Sequence, residues 1–140
     1  MDTQAYISTL LALLEDGATQ VSLPVSGTSM GPFLHPGDTV ILSAPEGKQK
    51  PGQVILYTRP DGRYILHRIM AVRSDGLCLV QGDNQLHPEP VAPHQIRAIA
   101  TGAIRKGKHC RAGSILWWFY AHPWRLLAPL RPWFARIKQR

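Results

Sequence analysis

The sequence predicts a mostly β fold, a barrel- or sandwich-like body preceded by one short helix. Alternating apolar runs of strand length recur from Val21 to about Arg105. Turn clusters of defined chemistry, Pro60-Asp61-Gly62 and Ser74-Asp75-Gly76, separate some of them. Clear helical periodicity is confined to the start, where Ile7, Leu10, Leu11 and Leu14 recur on one face. A chain of 140 residues fits one domain and can bury a core without disulfides.

The helix is expected over residues 3–16, with Asp2 or Thr3 as its cap and Gly17 as its stop. It does not read as a secretory signal, because it lacks a basic leading region and carries Asp2, Glu15 and Asp16. It is also too short to span a bilayer, which takes about 20 apolar residues, so a docking helix over one edge or face of the sheet is expected. Strands are expected near 20–26, 38–43, 53–58, 63–73, 77–81 and 96–105. The sequence shows neither an internal repeat nor a low-complexity tract. The expected organisation is a domain over 1–112, with the helix in 1–17 and the β body in 21–105, followed by a distinct segment over 113–140.

Charge is placed unevenly. The formal net charge is +7, nine of the sixteen Lys and Arg lie at or after Arg105, and no Asp or Glu follows Glu89. A basic tail thus follows a near-neutral body. All four tryptophans lie beyond Gly113, interleaved with Arg125, Arg131, Pro123, Pro129 and Pro132. Those arginines and prolines disfavour a spanning helix. Tryptophan beside arginine suits the headgroup layer of a membrane, and packing back onto the domain is the alternative. Cys78 and Cys110 form no CxxC pair and no metal-ligand spacing, which permits a reducing compartment.

The stretch from Ser26 to Asp38 is a glycine- and proline-rich corner between two apolar runs, and it carries Ser26, Thr28, Ser29 and Met30 where a plain turn needs only Gly, Pro, Asn or Asp. A hydroxyl on a rigid corner can stand clear as a nucleophile; the plainer reading is a polar loop. On the expected strand 63–73, His67 shares a face with Ile65 and Ile69. There it is either a satisfied core residue or a base for a serine hydroxyl, which needs one within about 3 Å. Gly82-Asp83-Asn84 is a turn in which Asp83 can brace the imidazole or the loop that carries Ser29. Glu89 offers a second carboxylate.

Together these pieces form an ordered set: Ser29-Met30-x-Pro32, Leu34-x-x-Gly37-Asp38, Pro51-Gly52-Gln53-Val54, His67-Arg68-Ile69 and Gly82-Asp83-Asn84. The set resembles the boxes of type I signal peptidases, over about residues 21–104. That family shares its β fold with the self-cleaving domain of LexA-type repressors, so the resemblance implies a signal-peptidase/LexA-like, β-barrel-like fold. It also implies that Ser29 is the nucleophile and that the His67 position holds the general base. Most bacterial members carry lysine there, and the histidine form is similar to the endoplasmic-reticulum and archaeal branch. In that branch the aspartate of Gly-Asp-Asn and an acidic residue six positions on are implicated, here Asp83 and Glu89; glutamate at the second is a departure. A second departure is Gly27, where some members carry a serine that donates to the oxyanion. The backbone N–H of Ser29 would then serve, helped by Ser26 or Thr28, and losing one such donor elsewhere costs about 3–4 kcal/mol. The family's N-terminal membrane anchor is not seen in this sequence, so the expected location is cytoplasmic or peripheral at the cytoplasmic membrane.

The resulting expectation is a serine endopeptidase that removes a signal or leader peptide through a Ser29–His67 dyad supported by Asp83, with Glu89, Gly27, Thr28 and Met30 as supporting positions. Its substrate would be an extended peptide or precursor, with small residues near the cut as the resemblance implies. No metal, organic cofactor or nucleic-acid partner is expected; peripheral membrane contact would run through 113–140. Activity should rise with pH along one ionisation near about 6 to 7.5, as for a histidine that need not be deeply dehydrated. The alternatives are a catalytically idle β module that binds anionic lipid or nucleic acid, and a self-cleaving repressor-type regulator. The second is disfavoured because only about 20 residues precede the β body, too few for a DNA-binding helix-turn-helix.

Overall fold

A computed structural model of the chain describes residues 3–25, 30, 33–83 and 85–111. Gly27, Thr28 and Ser29, named above as site residues, lie outside the described residues, and so does the segment 113–140 with its expected membrane contact. The elements are α1 (Thr3–Glu15), β1 (Val21–Pro24), β2 (Thr39–Ser43), β3 (Val54–Thr58), β4 (Tyr64–Val72), β5 (Cys78–Gln81), β6 (Glu89–Val91), a 3-10 turn (Pro93–Gln95), β7 (Ile96–Arg105) and β8 (Lys108–Arg111).

The fold is a mostly antiparallel β sheet with one short N-terminal helix. Strands follow the order β1-β2-β7-β3-β4-β5-β6, β8 pairs with β7, and the sheet is not closed. The helix and six of the strands stand where periodicity and turn chemistry place them. Strands β6 and β8 are additions. The first reads Glu89-Pro90-Val91, and a central proline normally argues against a strand; it is tolerated here at the end of the sheet order. The second has no apolar alternation to announce it.

Both faces of the sheet's middle are buried. Strand β3 is a continuous apolar run, Val54-Ile55-Leu56-Tyr57, and all four residues are buried. Val54 and Leu56 join a cluster with Ile7, Leu11 and Leu14 of α1, Val21 and Leu23 of β1, and Met30, Phe33 and Leu34. Ile55 and Tyr57 join a second cluster with Ile69, Cys78, Val80, Val91 and Ile96. The three helical side chains contribute about 1.5–3 kcal/mol each in gross burial, which is what holds so short a helix on the sheet. Gln4 Oε1 accepts the backbone N–H of Tyr64 at 2.6 Å and ties the helix start to β4.

The two hairpin turns share one device. Asp61 Oδ1 accepts the N–H of Arg63 and Asp75 Oδ1 accepts that of Leu77, each at 3.0 Å. Gly62 and Gly76 follow at φ 90° and 89°. An Asx turn with glycine in the left-handed position fits a three-residue hairpin connection and fixes the register of the strands it joins.

Candidate active site

The corner between β1 and β2 begins and ends on a continued ladder. Val25 N–H donates to Asp38 O at 2.8 Å, and Gly37 N–H donates to Val25 O at 3.2 Å. At this corner the chain therefore leaves the sheet at Val25 and rejoins it at Asp38, at nearly one point. Asp38 secures its far end. Its carboxylate accepts the N–H of His35 at 2.9 Å and is gripped by Arg105 of β7, whose Nη2 lies 2.7 Å from Oδ2. The same Nη2 reaches Phe33 O at 2.9 Å. The Arg105 guanidinium, outweighing burial, holds the Asp38 carboxyl below its ordinary range.

Arg68 gathers the rest of the ordered set. It is 0 % exposed on β4, and its Nε and Nη2 donate to Asp83 Oδ1 and Oδ2, both at 2.9 Å. Its Nη1 donates to Gly52 O at 2.7 Å. Its guanidinium carbon stands 4.9 Å from the centre of the Phe33 ring, a cation–π distance. Asp83, also 0 % exposed, directs its backbone N–H at Met30 Sδ, 3.4 Å away. A buried, bidentate, fully hydrogen-bonded pair of this kind specifies one arrangement, because removing either partner strands a charge at a cost of about 3–5 kcal/mol. Residues from three separate boxes thus meet at one guanidinium, Gly52, Arg68 itself and Asp83, with Phe33 of the corner against it and Met30 of a fourth box attached through Asp83.

His67 leaves β4 on the opposite face from Arg68, as period two requires. It pairs with Ile55 across β3 and is 2 % exposed. Its Nδ1 lies 3.2 Å from the Tyr57 hydroxyl, and the two rings meet edge-on with centres 6.1 Å apart. The Tyr57 hydroxyl donates to Glu89 Oε1. Glu89, at the start of β6, lies with the same oxygen 3.9 Å from His67 Nδ1. Arg59, just past β3, clamps that carboxylate, Nη2 to Oε1 at 2.7 Å and Nε to Oε2 at 3.2 Å. Of the two acids named from the sequence, Glu89 is the one whose described bonds lead to the imidazole. Those of Asp83 lead to Arg68 and Met30, on the other face of the sheet.

Burial governs the electrostatics here. It lowers the His67 pKa from 6.5 to about 4; Glu89 nearby pulls it up and Arg59 pulls it down. The expectation of a histidine that need not be deeply dehydrated is therefore corrected, because the ring sits in the second apolar cluster. Burial also raises the Tyr57 hydroxyl far above its ordinary value, with Glu89 adding to the rise. For Glu89 burial acts upward, but the hydrogen bonds from Arg59 and Tyr57 outweigh it and hold the carboxyl below its usual range.

The arrangement supplies a neutral, buried imidazole with a built support and a loop held at both ends. Among the described residues, no three His, Cys, Asp or Glu side chains come together as a metal cage. Sequence reasoning assigned no role to Arg59, Tyr57, Arg68 or Arg105. Arg68 carried a signal, a cation with apolar Leu66 and Met70 on either side of it on its face of the strand; Tyr57 carried none. Compared with known protein families and with curated proteins, the sequence matches none of them.

Proposed function

We propose that the chain is a serine endopeptidase of the signal-peptidase-like class, with Ser29 as nucleophile and His67 as general base. One observation carries this reading. Met30, the residue after Ser29, touches Asp83; Asp83 holds Arg68; and Arg68 follows His67 in the chain. The two proposed reacting residues are each one peptide bond from the ends of a single chain of buried contacts. A polar corner with incidental serines has no need of a buried ion pair fastened to its methionine.

In the proposed reaction Ser29 Oγ bonds to a peptide carbonyl carbon while His67 takes the hydroxyl proton. Collapse of the tetrahedral species breaks the C–N bond, and the imidazolium returns that proton to the leaving amine. Water then attacks the acyl-enzyme by the same route and frees Ser29. Asp83 serves as a positioning residue, through Arg68 and Met30. The substrate is an extended precursor peptide with small residues near the cut, such as a signal or leader peptide.

The test is cleavage of a pool of extended peptides, read by mass spectrometry. Wild-type protein is expected to yield discrete new termini. Ser29→Ala and His67→Ala should each lose them to a similar extent, since two residues that act as one unit do not add, and circular dichroism should stay unchanged. Undiminished cleavage by Ser29→Ala would end the proposal.

A further inference from the structure

We propose that Tyr57 and Glu89 together orient the base: the Tyr57 hydroxyl bridges His67 to the Glu89 carboxylate and fixes the imidazole with its proton on Nδ1 and its lone pair on Nε2. The inference deepens the reading of His67 as the base, and it names Tyr57 as a positioning residue for that reaction.

The argument is a count of protons. Glu89, clamped by Arg59 at 2.7 and 3.2 Å, is an ionised carboxylate and can only accept. The Tyr57 hydroxyl has one proton, and its bond to Glu89 Oε1 uses it. What the hydroxyl oxygen then presents to His67 Nδ1, 3.2 Å away, is a lone pair. A neutral imidazole has one N–H, so Nδ1 must carry it and Nε2 must hold the lone pair. The reverse assignment turns the tyrosine proton toward Nδ1. It sets two oxygen lone pairs against each other between Tyr57 and Glu89, inside a buried site where that repulsion is poorly screened.

The bridge also separates orientation from basicity. A carboxylate bonded directly to the ring would favour the imidazolium before any substrate arrives. Among the described residues, the charged groups that bear on His67 are Glu89 of β6 and Arg59 beyond β3, and they act in opposite directions. Cys78 of β5 lies in the same cluster with its thiol pushed upward by burial, so it stays neutral. The ring is aligned yet remains an unprotonated base. When Nε2 takes the Ser29 proton, the Nδ1–H···Oη–H···Oε1 chain stays intact. No proton leaves Tyr57 in this step, since burial and Glu89 both oppose its ionisation.

The experiment is ¹⁵N NMR of the histidine rings in the full-length labelled protein near neutral pH, with the His67 signals assigned by their loss in His67→Gln. Wild type is expected to show a protonated Nδ1 and an unprotonated Nε2. In Tyr57→Phe, which keeps the ring and removes the hydroxyl, and in Glu89→Gln, which keeps the size and removes the charge, the two tautomers should mix. Both variants should lower kcat/KM for the cleaved peptide by about 10- to 100-fold with KM little changed, the scale of losing a partner that orients a histidine ligand. An Nε2–H tautomer in wild type, or an unaltered Nδ1–H signal in both variants, would overturn the proposal. The NMR reading is independent of turnover. An Nδ1–H ring in a protein that cleaves nothing would uphold the bridge and overturn the peptidase.

Discussion

Buried His67 gives the protein a sensitivity to acid that an exposed histidine would not. Its folded pKa of about 4 lies below the 6.5 of an unperturbed ring, so the unfolded chain binds the proton more readily. Stability is accordingly present above pH 6.5 and lost as pH falls toward 4, by roughly 3 kcal/mol across that window at about 1.4 kcal/mol per unit. Glu89, held below its ordinary range, contributes stability that is lost at lower pH still, as it protonates. Urea unfolding at several pH values between about 7 and 4.5 is expected to show a midpoint that falls, and to fall less in His67→Gln. Equal slopes for the two proteins would mean that the ring is not dehydrated. The same burial moves the expected activity profile, whose rise belongs near pH 4 rather than near 6 to 7.5. The place of His67 on an apolar strand face was legible in the sequence, because it alternates with Ile65 and Ile69. Its dehydration was not, since that depends on which residues β3, β5 and β6 pack around it.

Among the elements, the β7–β8 hairpin is joined by a strained turn. Lys106 and Gly107 have φ 50° and 80°, the two positive values that a type I′ turn demands. Glycine accepts this freely; lysine does so at a cost of about 1–2 kcal/mol. Asparagine tolerates the left-handed region better, so Lys106→Asn is expected to stabilise the protein by up to about 1 kcal/mol in urea or thermal unfolding. A destabilised variant would mean that the lysine side chain makes a contact worth more than the strain. This turn explains why β8 was not legible: Lys-Gly lacks the usual asparagine or aspartate, and Lys108-His109 has no apolar partner pattern. The two X-Asp-Gly turns carried both the side-chain acceptor and the glycine, so the strands they join stand where they were expected.

For the whole molecule, two arginines on neighbouring regions of the sheet fasten one loop. Arg105 holds Asp38 and Phe33 O from β7, and Arg68 meets Phe33, Gly52 and Asp83 from β4. The two clusters on either face of β3 set the spacing between these anchors and the imidazole. The ordered boxes were visible in the sequence as separate short matches, but their meeting at Arg68 was not, because its partners come from loops and turns distant in the chain. Among the described residues, no helix is long and apolar enough to cross a membrane. Covalent labelling of the full chain by a fluorophosphonate, with the adduct mapped by mass spectrometry, bears most directly on the assignment of Ser29 and His67. A single adduct is expected on Ser29, formed almost as fast at about pH 5.5 as at about pH 7.5 because the base is neutral at both. His67→Ala should lose it. An adduct on any other residue, or Ser29 labelled at an undiminished rate in His67→Ala, would contradict the Ser29–His67 pair.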